Sequence, residues 1–118
     1  MRSNQDLFDT ITTHLRTQGA RATCETFDMC VYHASDGRKC AIGCLIPDER
    51  YTPVLEGCDL RRNGNVQSIL RSLDIDPTNE MLREFQQTHD CFEPGSEWER
   101  EFRMIAQRYD LTYTEVSA

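Results

Sequence analysis

The stretch from Met29 to Tyr51, MCVYHASDGRKCAIGCLIPDERY, decides which fold this chain can adopt. It contains the strongest turn signal of the sequence, Ser35-Asp36-Gly37, because an Asp-Gly pair suits the positive backbone angles of a tight hairpin. The residues before this turn, Cys30 to Tyr32, form a short run that is typical of a strand. We therefore predict a β-hairpin or small antiparallel sheet around residues 29–40.

Residues 40–46, with the sequence CAIGCLI, admit two interpretations. As a returning strand, they would place Cys40 and Cys44 on one face, because side chains alternate along a strand. As a short buried helix, they would place the same two cysteines one turn apart. Alanine, leucine and cysteine outnumber β-branched residues here, which favours a short helix after a very brief returning strand.

The sequence on both sides of this stretch has the spacing of amphipathic helices. A first helix is predicted between an N-cap at Ser3 and a stop at Gly19. Three more apolar stripes follow, one after a cap at Asn65, one after Asp76-Pro77, and one after a capping box from Ser96 to Glu99. We expect a mainly helical α+β protein with four to five helices.

The composition is that of an acidic globular protein. The 118 residues include 13 basic and 20 acidic side chains, which give a net charge of −7. This length suits a single domain over residues 1–118. A surplus of acid repels the phosphate backbone, so we do not expect direct nucleic-acid binding. A basic host protein, such as a nucleic-acid-binding enzyme, is the partner that the charge favours.

The sequence also indicates where the protein acts. No apolar run approaches the roughly 20 residues of a membrane-spanning helix, so no membrane association is expected. The N-terminal sequence MRSNQDLFDT carries acid and amide groups where a signal peptide needs an apolar core. We predict that the protein stays in the cytosol of the cell that makes it, where its six cysteines remain reduced.

A zinc site is one hypothesis for the central cysteines. Cys30 and His33, followed by Cys40 and Cys44, supply four ligands of the kind that zinc prefers. Only six residues separate the two halves, against about a dozen in common zinc fingers. Strand alternation would moreover turn Cys30 and His33 to opposite faces. The alternative is that all four side chains are structural.

A cysteine hydrolase is a second hypothesis. Cys40 would lie where a helix begins, which lowers a thiol pKa, and His89 and Asp90 could supply a base and the group that orients it. Adjacent residues on a helix point about 100° apart, so we expect Asp90 to be poorly placed to orient His89.

Two binding surfaces complete the candidates. Tyr32, Arg38 and Lys39, with the start of the following helix, could bind an anion such as a nucleotide phosphate. Glu97, Glu99 and Glu101 concentrate negative charge near the start of the last helix, where a basic partner could dock. A solvated helix face would explain the same glutamates.

The central stretch resembles a pattern found in small proteins encoded by bacteriophages, prophages and their bacterial hosts. The pattern carries a basic residue where this chain has His33, which weakens the zinc hypothesis. The resemblance implies a phage-linked setting and no particular activity. It is carried by Cys30, Tyr32, Gly37, Lys39, Cys40, Ala41, Gly43, Leu45, Ile46, Pro47, Asp48, Glu49 and Tyr51, and more weakly by Glu56, Gly57, Leu82, Phe85, Gln86, His89, Asp90 and Trp98.

Together these features predict a small phage- or mobile-element-encoded protein that inhibits a host defence component by stoichiometric binding, as anti-CRISPR proteins do. Two alternatives are a small-ligand or nucleotide-binding module and a zinc-stabilised interaction domain. The chain shows no Gly-rich phosphate loop and no Ser-centred motif, so we do not predict an enzyme.

Overall fold

Four α-helices carry the apolar stripes of the sequence. The structure is a computed structural model that describes residues 1–24 and 30–114. Four short 3₁₀ turns lie between the first and second helices. No helix in the described ranges has the length and apolar composition to cross a membrane. The α-helices are α1 (Asn4–Gln18), α2 (Gly64–Ser72), α3 (Glu80–Cys91) and α4 (Ser96–Arg108), and the 3₁₀ turns are Gly43–Leu45, Asp48–Arg50, Pro53–Leu55 and Leu60–Arg62.

The predicted hairpin around residues 29–40 is wrong, and so is the α+β class. Met29 lies outside the described residues, and residues 30–40 form no strand; antiparallel pairing there is limited to single bridges, such as that between His33 and Lys39. The backbone N–H groups of Tyr32 and His33 donate to the Glu56 carboxylate, at 3.0 and 3.2 Å. The bridge is flanked by two ladder bonds, from Ala34 N to Arg38 O and from Cys40 N to Tyr32 O, and the ladder ends there because Glu56 takes the Tyr32 amide and Cys40 O accepts from Cys44 N.

Residues 40–46 form a helical turn, as the composition favoured. Cys44 N donates to Cys40 O at 2.9 Å, and the 3₁₀ turn Gly43–Leu45 follows. The very brief returning strand is reduced to the single bridge at Lys39. Gly43 decides this geometry, because a Cβ built there would lie 1.9 Å from Tyr32 O. Only glycine fits such a close backbone approach.

The boundaries of α1 are confirmed. Ser3 Oγ accepts a hydrogen bond from Asp6 N, and Gly19 ends the helix with φ 66°. The predicted start of α2 is wrong, because the cap is Asn63, whose side chain accepts from Val66 N at 3.1 Å. Asn65 instead lies inside the helix.

The starts of α3 and α4 also differ from prediction. The Asp76 carboxylate accepts from Thr78 N and so forms a local turn, and Asn79 caps α3. The capping box at Ser96 is wrong, since Gly95 is the cap residue and has no side chain that could accept a hydrogen bond from the first turn. Glu99 turns towards α1 instead, where it pairs with Arg16.

The core lies between α1, α3 and α4 and the central stretch. Phe85 of α3 is fully buried, with its ring centroid 5.6 Å from that of Phe8 and 5.9 Å from that of Phe102. Ile42 and Ile46 are also fully buried, so the central stretch completes the core rather than covering its surface. Because the central stretch packs next to α3, the candidate site lies between these two parts of the chain.

Candidate functional site

A cavity of about 350 Å³ lies between the segment around Tyr32, the loop at Glu56 to Asp59, and α3. We call it the acidic cavity. Val31, Ile42 and Leu60 supply an apolar floor. Among the described residues, no lysine, arginine or histidine side chain lines it. Four thiols and three carboxylates do, and these are Cys24, Cys30, Cys40, Cys58, Glu56, Asp59 and Asp90.

The Glu56 carboxylate is held by three donors. Besides the amides of Tyr32 and His33, the Tyr51 hydroxyl donates to it at 2.7 Å. Burial raises the pKa of Tyr51, and the hydrogen bond to Glu56 raises it further, so this hydroxyl remains a donor at neutral pH. These three hydrogen bonds hold the Glu56 side chain in place at the wall of the cavity.

His89 and Asp90 interact directly, contrary to the prediction from their helical angle. His89 Nδ1 lies 2.7 Å from Asp90 Oδ1, and Ala22 N donates to His89 Nε2 at 3.0 Å. Because Nε2 accepts, the proton of the neutral ring must be on Nδ1, which donates to Asp90. The 100° angle separates the two Cβ directions, but it does not prevent the flexible side chains from meeting.

The tautomer of His89 also decides whether a metal fits. Within the described residues, one group gathers three potential ligand atoms within 4.8 Å of one another: Cys30, His89 and Asp90. A ligating Nδ1 would need its lone pair, and Nε2 would then carry the proton and face the donor Ala22 N. Two donors would oppose each other, so this group does not suit a metal ion.

The four predicted zinc ligands do not gather in the described structure, where the one candidate group contains only Cys30 of them. His33 Nε2 donates to Gly43 O at 2.8 Å, and its ring stacks on Tyr51. Cys44 donates to Ala41 O at 3.0 Å. Burial raises the pKa of Cys44 to about 12, so its sulfur remains a thiol rather than a thiolate ligand.

Cys40 is also unsuited to nucleophilic attack. Its side chain is buried, and burial raises the pKa of the thiol well above its usual range. Gly43 N donates to the sulfur at 3.2 Å. His89, the proposed base, has both ring nitrogens engaged by Ala22 and Asp90. The geometry therefore gives the hydrolase hypothesis no support.

The predicted anion site is not assembled. The Tyr32 hydroxyl donates to Cys58 O at 2.7 Å and faces the acidic cavity. Arg38 pairs with Asp36 at 2.7 Å, and Lys39 pairs with Asp48 at 2.8 Å. Each of the three side chains is therefore engaged within the protein, and the two cations are neutralised.

The three predicted acidic residues of α4 are also engaged. Glu97 accepts from Glu93 N at 3.2 Å, and Glu101 lies 3.4 Å from the Arg100 guanidinium. Glu99 receives two hydrogen bonds of 2.8 Å from Arg16. The carboxylates of the acidic cavity have no such cation: no ion pair with lysine or arginine involves Glu56, Asp59 or Asp90 in the described parts of the chain.

Two of these carboxylates were not predicted as site residues from the sequence, although Glu56 belongs to the resemblance pattern. Glu56 and Asp59 lie in a stretch without periodicity, and their proximity to Asp90 depends on the path of the chain between them. Asp59 and Leu60 also line a second cavity of about 270 Å³, together with Arg61 and Arg83. The acidic cavity therefore continues as a groove along α3.

Comparisons with known proteins add no identification. No family model, no curated protein and no solved structure matches this chain.

Proposed function

We propose that this protein is a stoichiometric binding protein whose acidic cavity receives a lysine or arginine side chain of a basic partner. The observation that carries the proposal is the set of three carboxylates, Glu56, Asp59 and Asp90, around a cavity that no described cationic side chain lines. In the setting that the sequence resemblance favours, the partner is a nucleic-acid-binding component of a host defence system, such as a CRISPR nuclease.

The carboxylates of the cavity are positioned before any partner arrives. Asp59 accepts from Arg62 N at 3.2 Å, and Asp90 accepts from His89 and from Gln86 Nε2, the latter at 2.9 Å. A guanidinium group binds carboxylates through paired hydrogen bonds, and such pairs strengthen where water is partly excluded. Fixed carboxylates also lose little side-chain freedom on binding.

The charge of the whole protein supports the same partner. A net charge of −7 attracts a basic surface over several ångströms and accelerates encounter with it. A basic nucleic-acid channel would present many lysines and arginines at close spacing. An acidic protein seated there would exclude the nucleic acid, which is how stoichiometric binding would inhibit the enzyme.

The first experiment is a pull-down from an extract of the natural host with the tagged protein as bait. The test variant is Asp59→Asn/Asp90→Asn, because asparagine keeps one acceptor oxygen for the local hydrogen bonds and replaces the other by an NH₂ group, which removes the charge. The matched control is Asp9→Asn/Glu49→Gln, which removes two exposed charges outside the cavity. We expect a basic host protein retained in 1:1 ratio, at least tenfold less of it with the test variant, and unchanged retention with the control.

If both variants retain equal amounts of the host protein, the acidic cavity is not the binding site. If no host protein is retained at all, the proposal of a stoichiometric binding protein is contradicted. The anti-defence role needs a separate assay. Host cells that express the protein should be infected by a phage that their defence system otherwise restricts, while cells that express Asp59→Asn/Asp90→Asn should remain resistant. Resistance in both strains would contradict the inhibitory role and leave the binding result standing.

A further inference from the structure

We infer that the groove along α3 binds an extended peptide segment of the basic partner, with a large apolar side chain two positions from the basic one. This inference rests on the proposed function, since it adds a second contact with the same partner. The second contact is the cavity of about 270 Å³ next to the acidic cavity, and we call it the neutral cavity. The two cavities share a wall, which is formed by Ile42, Asp59, Leu60 and Gln86.

The two cavities differ in charge. Three carboxylates line the acidic cavity, and no cationic side chain does in the described parts of the chain. Two carboxylates and two guanidinium groups line the neutral cavity, and these belong to Asp59, Glu80, Arg61 and Arg83. Arg61 and Arg83 both approach Glu80, at 3.2 and 3.7 Å. The charges around the neutral cavity therefore balance, and its occupant needs no charge.

The uncharged polar side chains of the neutral cavity are engaged within the protein. Each has a hydrogen bond of 2.7 to 3.2 Å to another residue, and these side chains are Gln67, Thr78, Asn79 and Gln86. A ligand that formed hydrogen bonds with them would have to replace these contacts. Hydrogen bonding therefore contributes little to what the neutral cavity can bind.

Apolar surface is what the neutral cavity offers a ligand. Ile42, Leu60 and Pro77 line it, and all three residues are buried in the protein without a partner. An apolar cavity of about 150 Å³ holds a benzene molecule, so a volume of about 270 Å³ has room for a leucine, methionine or phenylalanine side chain. Burial of such a side chain strengthens binding without a new charge or hydrogen bond.

An extended peptide can fill both cavities at once. Alternate side chains of an extended chain point to the same side and lie about 6.5 Å apart. A lysine or arginine in the acidic cavity therefore places the second residue before or after it at the neutral cavity. Asp59, at the shared wall, accepts from Arg62 N at 3.2 Å, which fixes the boundary between the two side chains.

The probes are three short peptides with blocked ends, titrated into the full isotope-labelled protein and followed by the backbone amide signals in NMR spectra. One peptide contains Arg-Gly-Leu, one contains the reverse order Leu-Gly-Arg, and one contains Arg-Gly-Gly. We expect one of the two leucine peptides to bind at least tenfold more tightly than the peptide without leucine.

The positions of the moving signals show which cavity is filled. Tyr32 and Cys58 line only the acidic cavity, and Arg61 and Thr78 line only the neutral cavity. The amide signals of Tyr32 and Cys58 should move with the peptide without leucine and with the tighter leucine peptide. Those of Arg61 and Thr78 should move with the tighter leucine peptide alone.

The variant Thr78→Trp narrows the neutral cavity from an exposed position and should reduce the affinity of the tighter peptide to that of the peptide without leucine. The matched control is Thr52→Trp, at an exposed threonine that lines neither cavity, and it should leave the affinity unchanged. If Thr78→Trp fails to fold, the comparison of the three peptides on the parent protein decides.

Equal affinities of the three peptides, or an unchanged affinity in folded Thr78→Trp, would overturn this inference and leave the proposed function standing. If no peptide moves any amide signal, the inference fails as well. In that case the acidic cavity is also excluded as the site for a basic side chain, so the two failures are distinguishable.

Discussion

Two parts of the molecule satisfy their backbone hydrogen bonds in different ways. We call α1, α3 and α4 the helical layer and residues 30–51 the motif segment. In the helical layer, each helix satisfies its own backbone and apolar rings such as Phe85 fill the interior. In the motif segment, side chains from elsewhere satisfy the backbone: Gln18 accepts from Lys39 N, Gln86 accepts from Ile42 N, and Glu56 accepts from Tyr32 N.

The motif segment is therefore stabilised by individual side-chain partners rather than by the repeating backbone hydrogen bonds of a helix or sheet. A buried backbone donor without a partner destabilises a fold by about 1 to 3 kcal/mol, so each of these side chains replaces what a strand or helix would provide. Substitutions in the motif segment should therefore lower stability through steric overlap or a lost hydrogen bond. Substitutions in the helical layer should lower it through the loss of buried apolar volume.

The largest effect is expected in the motif segment, at its closest backbone contact. Gly43→Ala places a Cβ 1.9 Å from Tyr32 O, and a backbone oxygen cannot move away without breaking the turn. We expect a loss of at least about 4 kcal/mol in the free energy of unfolding, measured by urea denaturation. The control Gly64→Ala has nothing within 4 Å of its new Cβ and should not destabilise. Equal effects of the two would contradict this account.

The next effect tests the helical layer. Phe85→Ala removes a fully buried ring between Phe8 and Phe102 and leaves a cavity. We expect a loss of about 3 to 5 kcal/mol in the free energy of unfolding. Val54→Ala is the control, because Val54 is 76% exposed and should change stability little. A small loss at Phe85 would show that the layer is less tightly packed than the described contacts indicate.

A smaller effect should follow loss of the carboxylate that organises the motif segment. Glu56→Gln keeps the shape of the side chain but replaces one acceptor oxygen by an NH₂ group, which opposes one of the donors at Tyr32, His33 or Tyr51. We expect a loss of about 1 to 3 kcal/mol on urea denaturation. Glu49→Gln, at an exposed position, should stay near the parent value, and similar results for both would remove Glu56 from this role.

The smallest effect concerns the ion pair that joins α1 to α4. Burial alone would raise the pKa of Glu99, but hydrogen bonds from Arg16 and Tyr113 outweigh it and lower the pKa below its ordinary value of 4.5. Because its pKa is lower in the folded protein, the ionised Glu99 carboxylate stabilises the fold above pH 4.5. This contribution to the free energy of unfolding is lost as the pH falls through the folded-state pKa.

Glu99→Gln should therefore reduce the free energy of unfolding by about 1 kcal/mol at pH 7, since the pair is only partly buried. The difference from the parent protein should shrink as denaturation is repeated from pH 5 down to pH 3. Glu80→Gln, which removes a carboxylate that is 60% exposed, is the control. A Glu99→Gln difference that is independent of pH would show that the carboxylate charge is not the cause.

Much of the helical layer could be predicted from spacing. The residues Ser3 and Gly19 bound α1 as expected, because capping is a local property of the chain. The hairpin could not be predicted from local sequence in the same way, because its hydrogen bonds depend on a residue far along the chain. Its turn is present and His33 pairs with Lys39, but Glu56, 24 residues from Tyr32, takes the Tyr32 amide that would extend the pairing.

The candidate site was less accessible to sequence reasoning. The three carboxylates of the acidic cavity come from two distant parts of the chain, and only Asp90 was considered as a functional side chain in the sequence. The start of α4 shows the opposite error. Local composition suggested an acidic docking surface there, but Arg16 comes from α1 and pairs with Glu99, so this carboxylate is already engaged within the protein.

The pairing of α1 with α4 has a consequence for the order in which the chain can fold during synthesis. Arg16 and Glu99 are 83 residues apart, and the Gln5 side chain bonds the backbone of Thr112, 107 residues away. At about 5 to 20 residues per second, the ribosome needs roughly 4 to 17 seconds to add the residues between Arg16 and Glu99. An isolated helix of 15 residues is marginal in water, so α1 emerges first, and its contacts with α4 form only after those with the central stretch and with Phe85 of α3 have become possible.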